Sequence, residues 1–465
     1  MRFDLTPICL LPILRARRAE IAVIAVVCAV LVAGRWFPAG PWLLPFCFTG
    51  IWLAARIIRM PSDDRLWLAC CCAGALILQI ISFFLFGYHD PLQSNQQLDD
   101  HSYLVESRVI SDTWHDGIYP DLHRKGSLPY LGTLHTGYHR ILAFLFLFSP
   151  RAAVTGIILN IVFAALMPLL IYFSAAAIFD ARDLRLMTGT ISAANPRFPA
   201  RMAALLGAIQ PAIFYWCSFL LKDVILAALF VAAFMFLAEF LRTRNLISLA
   251  GCLLGVFFLA QMRAYAALSL AAGGVACALA RMPFRWLMWC LFYLCMAVLI
   301  AHYTPQGQAY LLQLVDSLGA QLSHRLMSLR GVALWLAGGM PRLLLAPYAW
   351  VRAEGPHPMY GLYPGMWFLY LAIYPLAFLG FMLAIRANHL LTALPLVCIL
   401  SVALLFLVAY GGDVARQRLY IEQIFIIYAG LGCAAPRKRP VFFAWYAILI
   451  LFAAIQMLSL HLRHT

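Results

Sequence analysis

The feature that most constrains this chain is a series of long apolar runs that recurs from one end to the other. The runs are about 15 to 28 residues long, and short basic stretches separate most of them. A run that approaches 18 apolar residues is typical of a transmembrane helix, because a helix satisfies its own backbone hydrogen bonds inside a bilayer. The runs therefore predict an all-α polytopic membrane protein.

The composition agrees with this interpretation. Of the 465 residues, 64% are hydrophobic and 11% are charged, whereas a soluble domain carries about 25% charged residues. The formal net charge of +15 does not indicate nucleic-acid binding, because the basic residues lie in short bridges between apolar runs rather than on one soluble face. We therefore predict the lipid bilayer as a partner and no nucleic acid.

The apolar runs predict about thirteen transmembrane helices. Their approximate bounds are 20–34, 41–58, 66–86, 152–179, 202–220, 224–241, 246–260, 264–280, 286–303, 365–385, 389–410, 418–434 and 440–460.

Two long polar loops interrupt this series, at 87–151 and 303–364. Within the first loop, residues 141–148 are apolar but too few to span a bilayer. Within the second, residues 308–335 have helical spacing with polar positions. Both stretches predict short helices that lie in the membrane interface.

Basic residues predict the orientation of the spans. With the N-terminus in the cytoplasm, every loop on the cytoplasmic side is basic, and both long loops face the extracytoplasmic side. The segment 180–201 is then expected to be a plain cytoplasmic connector. The basic positions on the cytoplasmic side are Arg56, Arg59, Arg65, Arg182, Arg185, Arg197, Arg201, Arg242, Arg244, Arg281, Arg285, Arg386, Arg437, Lys438 and Arg439.

The same pattern divides the chain into three parts. Residues 1–65 are an N-terminal cytoplasmic arm with two spans, residues 66–434 form a transmembrane core that includes both long loops, and residues 435–465 are a last span and tail. We expect the basic arm to remain as a cytoplasmic segment rather than to act as a signal peptide, because further spans follow it and no convincing cleavage site does.

An acidic stretch lies early in the first long loop and contains Asp99, Asp100 and Tyr103. Adjacent carboxylates can raise each other's pKa, so that one serves as a general base, and they can also hold a divalent cation. If the stretch is helical, Asp99 and Tyr103 share a face. The alternative is a solvated loop with ordinary acidic residues.

Two short basic junctions are predicted at the same face of the membrane. Lys222 precedes Asp223 at the start of a span, and Arg263 lies with Tyr265 between two short apolar runs. Lys222 and Arg263 could bind a phosphate group, with Tyr265 beside it. Alternatively, Asp223 caps a helix while Lys222 extends to water, and the Arg263 segment is a simple turn.

A third basic junction contains Asp413, Arg416 and Arg418 after two glycines. Two arginines can form forked hydrogen bonds to phosphate oxygens, whereas Glu422, one turn after Arg418, could instead neutralise the loop. The chain contains no Walker motif, GxSxG elbow or dinucleotide fingerprint, so ATP-driven transport and serine hydrolysis lack support.

These motifs resemble those of GT-C type multi-span glycosyltransferases, of the bacterial kind related to protein mannosyltransferases. The acidic pair with Tyr103 is similar to the D-(D/E)-x-x-Tyr signature of the first outer loop in that family. Further likenesses lie at the span junction 216–223, the Pro-aromatic-x-Trp element 347–350, and the arginine-rich entry 416–418 to a span that ends in 430–432. The resemblance covers about residues 66–434.

The resemblance implies transfer of a sugar from a polyprenyl-phosphate donor to a glycan, lipid or protein acceptor at the extracytoplasmic face of a bacterial inner membrane. It assigns the catalytic base to Asp99 or Asp100. Tyr103, Lys222, Arg263, Tyr265, Arg416 and Arg418 are the candidate contacts to substrate and lipid phosphate. No cofactor is required, although the acidic pair could bind a divalent cation.

The chain departs from that family in two respects. Its acidic loop follows the third predicted span rather than the first, and no large soluble C-terminal domain is evident. Two alternatives therefore stay open: a lipid-linked polysaccharide polymerase or ligase that depends on the outer arginines, and a transporter or lipid flippase. A transporter is expected to carry charges near the membrane midplane and internal repeats, which this sequence does not display.

Overall fold

The computed structural model describes residues 40–88, 99–115, 137–179, 197–279, 373–385, 398, 419–435 and 440–448. Within these ranges the chain is helical and contains no β-strand, which confirms the predicted all-α class. Most of the buried apolar side chains join one large hydrophobic cluster, so the helices share a common core.

Twelve named helices make up most of the described residues. They are α1 (Gly40–Ile58), α2 (Ser62–Ser82, continued by a π-helical turn over Phe83–Gly87), α3 (Asp99–His115), α4 (Gly137–Phe146), α5 (Ala153–Ile178), α6 (Phe198–Ala208), α7 (Pro211–Cys217), α8 (Asp223–Thr243), α9 (Leu246–Met262), α10 (Ala264–Leu279), α11 (Ile373–Ile385) and α12 (Leu419–Cys433).

Three of the described helices are long and apolar enough to cross a membrane. They are Ser62–Gly87, Ala153–Ile178 and Asp223–Thr243. Several shorter apolar helices, including α9 and α12, match other predicted spans. The helical membrane architecture is thus supported, while the total of about thirteen spans stays a prediction, since the runs 20–34 and 286–303 lie outside the described residues.

Helix α8 occupies the centre of the bundle. Its apolar stretch is 94% buried, compared with 28% for α2, which exposes large apolar side chains such as Ile77 and Phe84. A helix that is apolar all round belongs in the interior of a bundle, whereas an exposed apolar face in a membrane protein contacts lipid. Helices α5 and α9 pack along α8 and cover much of its surface.

The predicted continuous span 202–220 is wrong in its bounds and its continuity. The structure begins a helix at Phe198, inside the expected connector 180–201, and interrupts it between α6 and α7. Pro211 explains the interruption, because proline lacks a backbone N–H and disfavours a helical residue before it; Gln210 accordingly has an extended backbone. Residues 180–196 lie outside the described residues.

Contacts at the two ends of the bundle define the direction of its helices. Asn160, near the start of α5, hydrogen-bonds to the carbonyl of Leu221 just before α8. At the opposite ends of these helices, the Arg242 side chain donates to the carbonyl of Ala176. Helices α5 and α8 therefore run in the same direction, and α6–α7, which connects them in the sequence, packs on α5 and α2.

The apolar stretch of the first long loop is helical, but its bounds differ from the prediction. Helix α4 covers Gly137–Phe146, and residues such as Ile141 and Leu142 are buried. A side chain at Gly137 would meet the Gln261 carbonyl oxygen at 3.2 Å, so glycine permits the close approach of α4 to the end of α9. The interfacial position of this helix stays a prediction.

Candidate functional site

The acidic stretch of the first long loop begins helix α3. Asp100 lies in its first turn, is 2% exposed, and accepts a hydrogen bond from the backbone N–H of His101 at 3.0 Å. Tyr103 is also buried, whereas the side chain of Asp99 lies outside the described residues. The stretch is therefore helical, the condition under which Asp99 and Tyr103 were expected to share a face, and Asp100 is a buried carboxylate rather than a residue of a solvated loop.

Tyr103 lies at the centre of a compact group that we call the Tyr103 cluster: Tyr103, Tyr138, His139 and Lys222. The Tyr103 ring packs edge-on against Tyr138, with centroids 4.9 Å apart, and against His139, with centroids 5.0 Å apart. The Lys222 Nζ atom lies 5.5 Å from the centroid of the Tyr103 ring. This distance is typical of a cation–π contact. The structure therefore brings two of the predicted site residues together.

A hydrogen-bonded support holds the segment that carries Lys222. The Asn160 side-chain amide donates to the carbonyls of Phe219 and Leu221, at 2.9 and 2.8 Å. These carbonyls lie between α7 and α8, where the chain is not helical and its backbone needs other partners. Asn160 thus fixes the approach to α8 and, with it, the position of Lys222, which is 6% exposed.

Asp223 and Arg263 form a buried ion pair beside the Tyr103 cluster. The Arg263 guanidinium lies 2.9 Å from an Asp223 carboxylate oxygen, and both side chains are buried. Asp223 is the first residue of α8, where a negative charge is favoured by the helix dipole. Arg263 is the single residue between α9 and α10, so the ion pair joins one end of α8 to that turn.

Glu106 is a buried carboxylate that the sequence did not single out. One of its oxygens accepts a hydrogen bond from Ser102 at 3.0 Å, and the other lies 3.2 Å from Nε2 of His139. Burial raises the pKa of Glu106, and the Ser102 hydrogen bond lowers it in part. The i, i+4 spacing of Ser102 and Glu106 was visible in the sequence, but their connection to α4 was not.

Other polar groups lie at the opposite end of the bundle. Asp64 is 0% exposed and accepts hydrogen bonds from Arg197 at 2.7 Å and Arg201 at 2.6 Å. Arg56 and Glu239 form a further ion pair at that end. These residues connect α1, α2, α6 and α8 where the predicted cytoplasmic loops begin, and they lie apart from the Tyr103 cluster.

A third polar group is buried where the broken helix meets α12. The Gln210 amide donates to Glu422 at 2.8 Å, and the Gln423 amide donates to Gln210 at 2.9 Å. Gln423 also donates to the Leu419 carbonyl at 2.9 Å. The network gives hydrogen-bond partners to the Gln210 and Gln423 amide nitrogens and to Glu422 beside the interruption, a role in packing that the sequence had not indicated.

The described part of the chain does not include several of the predicted site residues. Asp413, Arg416, Arg418 and the side chain of Tyr265 lie outside the described residues, although the backbone of Tyr265 is in the first turn of α10. In the part of the chain that the structure describes, no group of three or more His, Cys, Asp or Glu residues could hold a metal ion. A divalent cation at Asp99 and Asp100 stays a prediction.

Comparisons of the chain with protein-family models, curated proteins and solved structures gave no match.

Proposed function

We propose that the chain is a membrane glycosyltransferase of the GT-C type. It moves a sugar from a polyprenyl-phosphate carrier to a glycan, lipid or protein acceptor at the extracytoplasmic face of a bacterial inner membrane. The observation that supports this proposal most is the contact between the acidic helix α3 and the cation that immediately precedes α8, because Lys222 lies against Tyr103, one turn from Asp100.

The reaction needs the two kinds of group that this contact joins. The acceptor hydroxyl oxygen attacks the anomeric carbon of the sugar, the bond from that carbon to the carrier phosphate breaks, and the hydroxyl proton passes to a carboxylate base. The departing carrier phosphate is stabilised by a cation. Asp100 or Asp99 is the base in this proposal, and Lys222 is the first phosphate contact.

The buried environment favours these roles. A lysine ammonium group is a compact charge suited to a phosphate, and its interaction with that phosphate is stronger away from bulk water. Asp223 neutralises part of the charge of Arg263, so we assign Arg263 a supporting role. Arg416 and Arg418 are proposed as further phosphate contacts, and Tyr103 and Tyr265 as contacts to substrate.

Removal of both acidic groups tests the proposal. The double variant Asp99→Asn, Asp100→Asn is expected to lower the rate of sugar transfer by about 100-fold or more, because it removes the proton acceptor while preserving side-chain shape. The measurement is transfer of radiolabelled sugar from a polyprenyl-phosphate donor by the purified chain reconstituted in liposomes.

Asp112→Asn is the matched control. Asp112 lies on the same helix α3, its side chain is 55% exposed, and it pairs with Arg151 at the protein surface. We expect this variant to transfer sugar at the rate of the unmodified protein. Transfer at the unmodified rate by the Asp99, Asp100 variant would rule out the acidic base, and movement of substrate across the vesicle without covalent transfer would favour a transporter.

A further inference from the structure

Glu106 and His139 join the helix that carries Asp100 to the short helix α4. Their side chains are both buried, and the carboxylate oxygen lies 3.2 Å from the imidazole Nε2 atom. A buried carboxylate loses much of its hydration, and this cost is offset only when hydrogen bonds or an opposite charge replace the water. Ser102 donates a hydrogen bond to one oxygen of Glu106, and the His139 imidazole is the group that lies beside the other oxygen.

The pair continues into the Tyr103 cluster. His139 packs edge-on against Tyr103, whose ring also contacts Lys222. Glu106 therefore restrains His139, His139 restrains the Tyr103 ring, and the ring contributes to the location of the Lys222 ammonium group. Tyr138 and His139 both contact the Tyr103 ring at steep interplanar angles, and these contacts restrict the orientation that the ring presents to a cation.

A second contact between α3 and the segment after α4 provides a control for the contact between Glu106 and His139. Asp112, farther along α3, pairs with Arg151 just after α4, and Arg108 donates to the Arg151 carbonyl at 2.8 Å. This surface contact also joins α3 to the region of α4, but it is exposed and does not involve Tyr103. A substitution of Asp112 therefore removes one contact between α3 and the segment after α4 but leaves the Tyr103 cluster intact.

We infer that Glu106 and His139 are positioning residues for the phosphate-binding cation: they hold the Tyr103 ring and thereby place Lys222 against the phosphate of a polyprenyl-phosphate ligand. This inference rests on the proposed function, because it assumes that Lys222 binds the carrier phosphate. It adds two residues, Glu106 and His139, that act through Tyr103. It predicts that their substitution weakens recognition of the phosphate group alone.

The test measures binding of two lipids to the purified full-length chain in nanodiscs: a polyprenyl monophosphate, and the corresponding polyprenol without phosphate. Glu106→Gln retains the size of the side chain but removes its charge. It is expected to raise the Kd for the polyprenyl monophosphate about tenfold, because a small displacement of a positioned group is costly, and to leave the Kd for the polyprenol unchanged. His139→Gln is expected to give the same result.

The controls separate the inference from the proposed function. Asp112→Asn should leave both dissociation constants unchanged, and Glu106→Asp should recover part of the phosphate preference. If the unmodified chain binds both lipids equally, the proposed phosphate site is wrong. If the unmodified chain binds the polyprenyl monophosphate more tightly than the polyprenol, and the Glu106→Gln variant retains the same ratio of Kd values, the positioning role is wrong. The inference is also overturned if Glu106→Gln fails to fold or if it weakens the binding of both lipids equally, because the pair of Glu106 and His139 is then structural.

Discussion

At the scale of single residues, the buried charges described in this structure have partners. Asp64 contacts two arginines, Asp223 contacts Arg263, and Glu106 contacts His139. The reason is energetic: an isolated charge in a low-dielectric interior is costly, whereas a hydrogen-bonded pair recovers part of its lost hydration. Removal of one partner therefore leaves the other in an unfavourable environment.

Asp64→Asn is expected to destabilise the protein. The substitution weakens the hydrogen bonds from Arg197 and Arg201, and hydrogen bonds to charged groups contribute about 1.5–3 kcal/mol each in favourable cases. Because both arginines are partly exposed, we expect a total loss of about 2 kcal/mol. Thermal unfolding in detergent micelles measures the effect.

Asp63→Asn provides the matched control for that substitution. Asp63 is the neighbouring residue on the same helix and is exposed. The one hydrogen bond described for its side chain comes from the Ser62 hydroxyl, at 3.3 Å. Its unfolding temperature should match that of the unmodified protein. Equal unfolding temperatures for the Asp63 and Asp64 variants would contradict a stabilising role for the buried carboxylate.

At the scale of secondary-structure elements, the interruption between α6 and α7 depends on helix α12. Gln210 lies at the interruption and exchanges hydrogen bonds with Glu422 and Gln423, so α12 supplies partners to a segment without regular helical geometry. The glycines of α12 permit the required approach: a side chain at Gly430 would meet the Pro199 carbonyl oxygen. The broken helix and α12 are therefore one packing unit.

A double-mutant cycle tests this unit. Gln210→Ala and Gln423→Ala are each expected to destabilise the protein, and their combination should cost less than the sum by about 1 kcal/mol, because both remove the same hydrogen bond. The free energies come from chemical unfolding in detergent micelles. Gln210→Ala with Asp112→Asn is the control pair and should be additive, since Asp112 lies on the surface of α3. Additivity of the glutamine pair would contradict the coupling.

At the scale of the whole molecule, the described ion pairs gather at two separate ends of an apolar bundle, and the network of Gln210, Glu422 and Gln423 lies beside the helix interruption. Asp64, Arg197 and Glu239 lie at one end, whereas Asp100 and Lys222 belong to the other. Helix α8 connects the ends, from Asp223 beside Lys222 to Arg242 near the end of α5. A bilayer accommodates such a molecule when both polar ends reach its interfaces.

Cysteine labelling tests this placement. Asp63→Cys at one end and Asp112→Cys at the other are expected to react with a membrane-impermeant maleimide from opposite sides of the membrane, because both positions are exposed. The measurement compares right-side-out and inside-out vesicles and subtracts the labelling of the unmodified chain. Reaction of both positions from the same side would contradict the arrangement, and reaction of Asp112→Cys from the cytoplasm would reverse the predicted orientation.

Much of the fold could be predicted from local sequence patterns. Apolar runs identified helices such as α5 and α8 to within a few residues, because bilayer-length hydrophobicity is a property of consecutive residues. The interruption at Gln210 was missed, although Pro211 was a visible signal. Proline is tolerated in many membrane helices; Pro168, for example, lies inside the continuous helix α5, so its presence alone did not distinguish the two outcomes.

The sequence by itself determined which residue types lie at the ends of the helices, including Asp100, Lys222 and Arg263. Only the tertiary structure decided their partners: Arg263 with Asp223, Lys222 with Tyr103, and Glu106 with His139. The physical reason is that the hydrophobicity and charge pattern of a segment are properties of consecutive residues. A buried contact between distant residues depends instead on how the whole bundle packs. Each polar residue could be identified in the sequence, but its partners depend on the packing of distant segments.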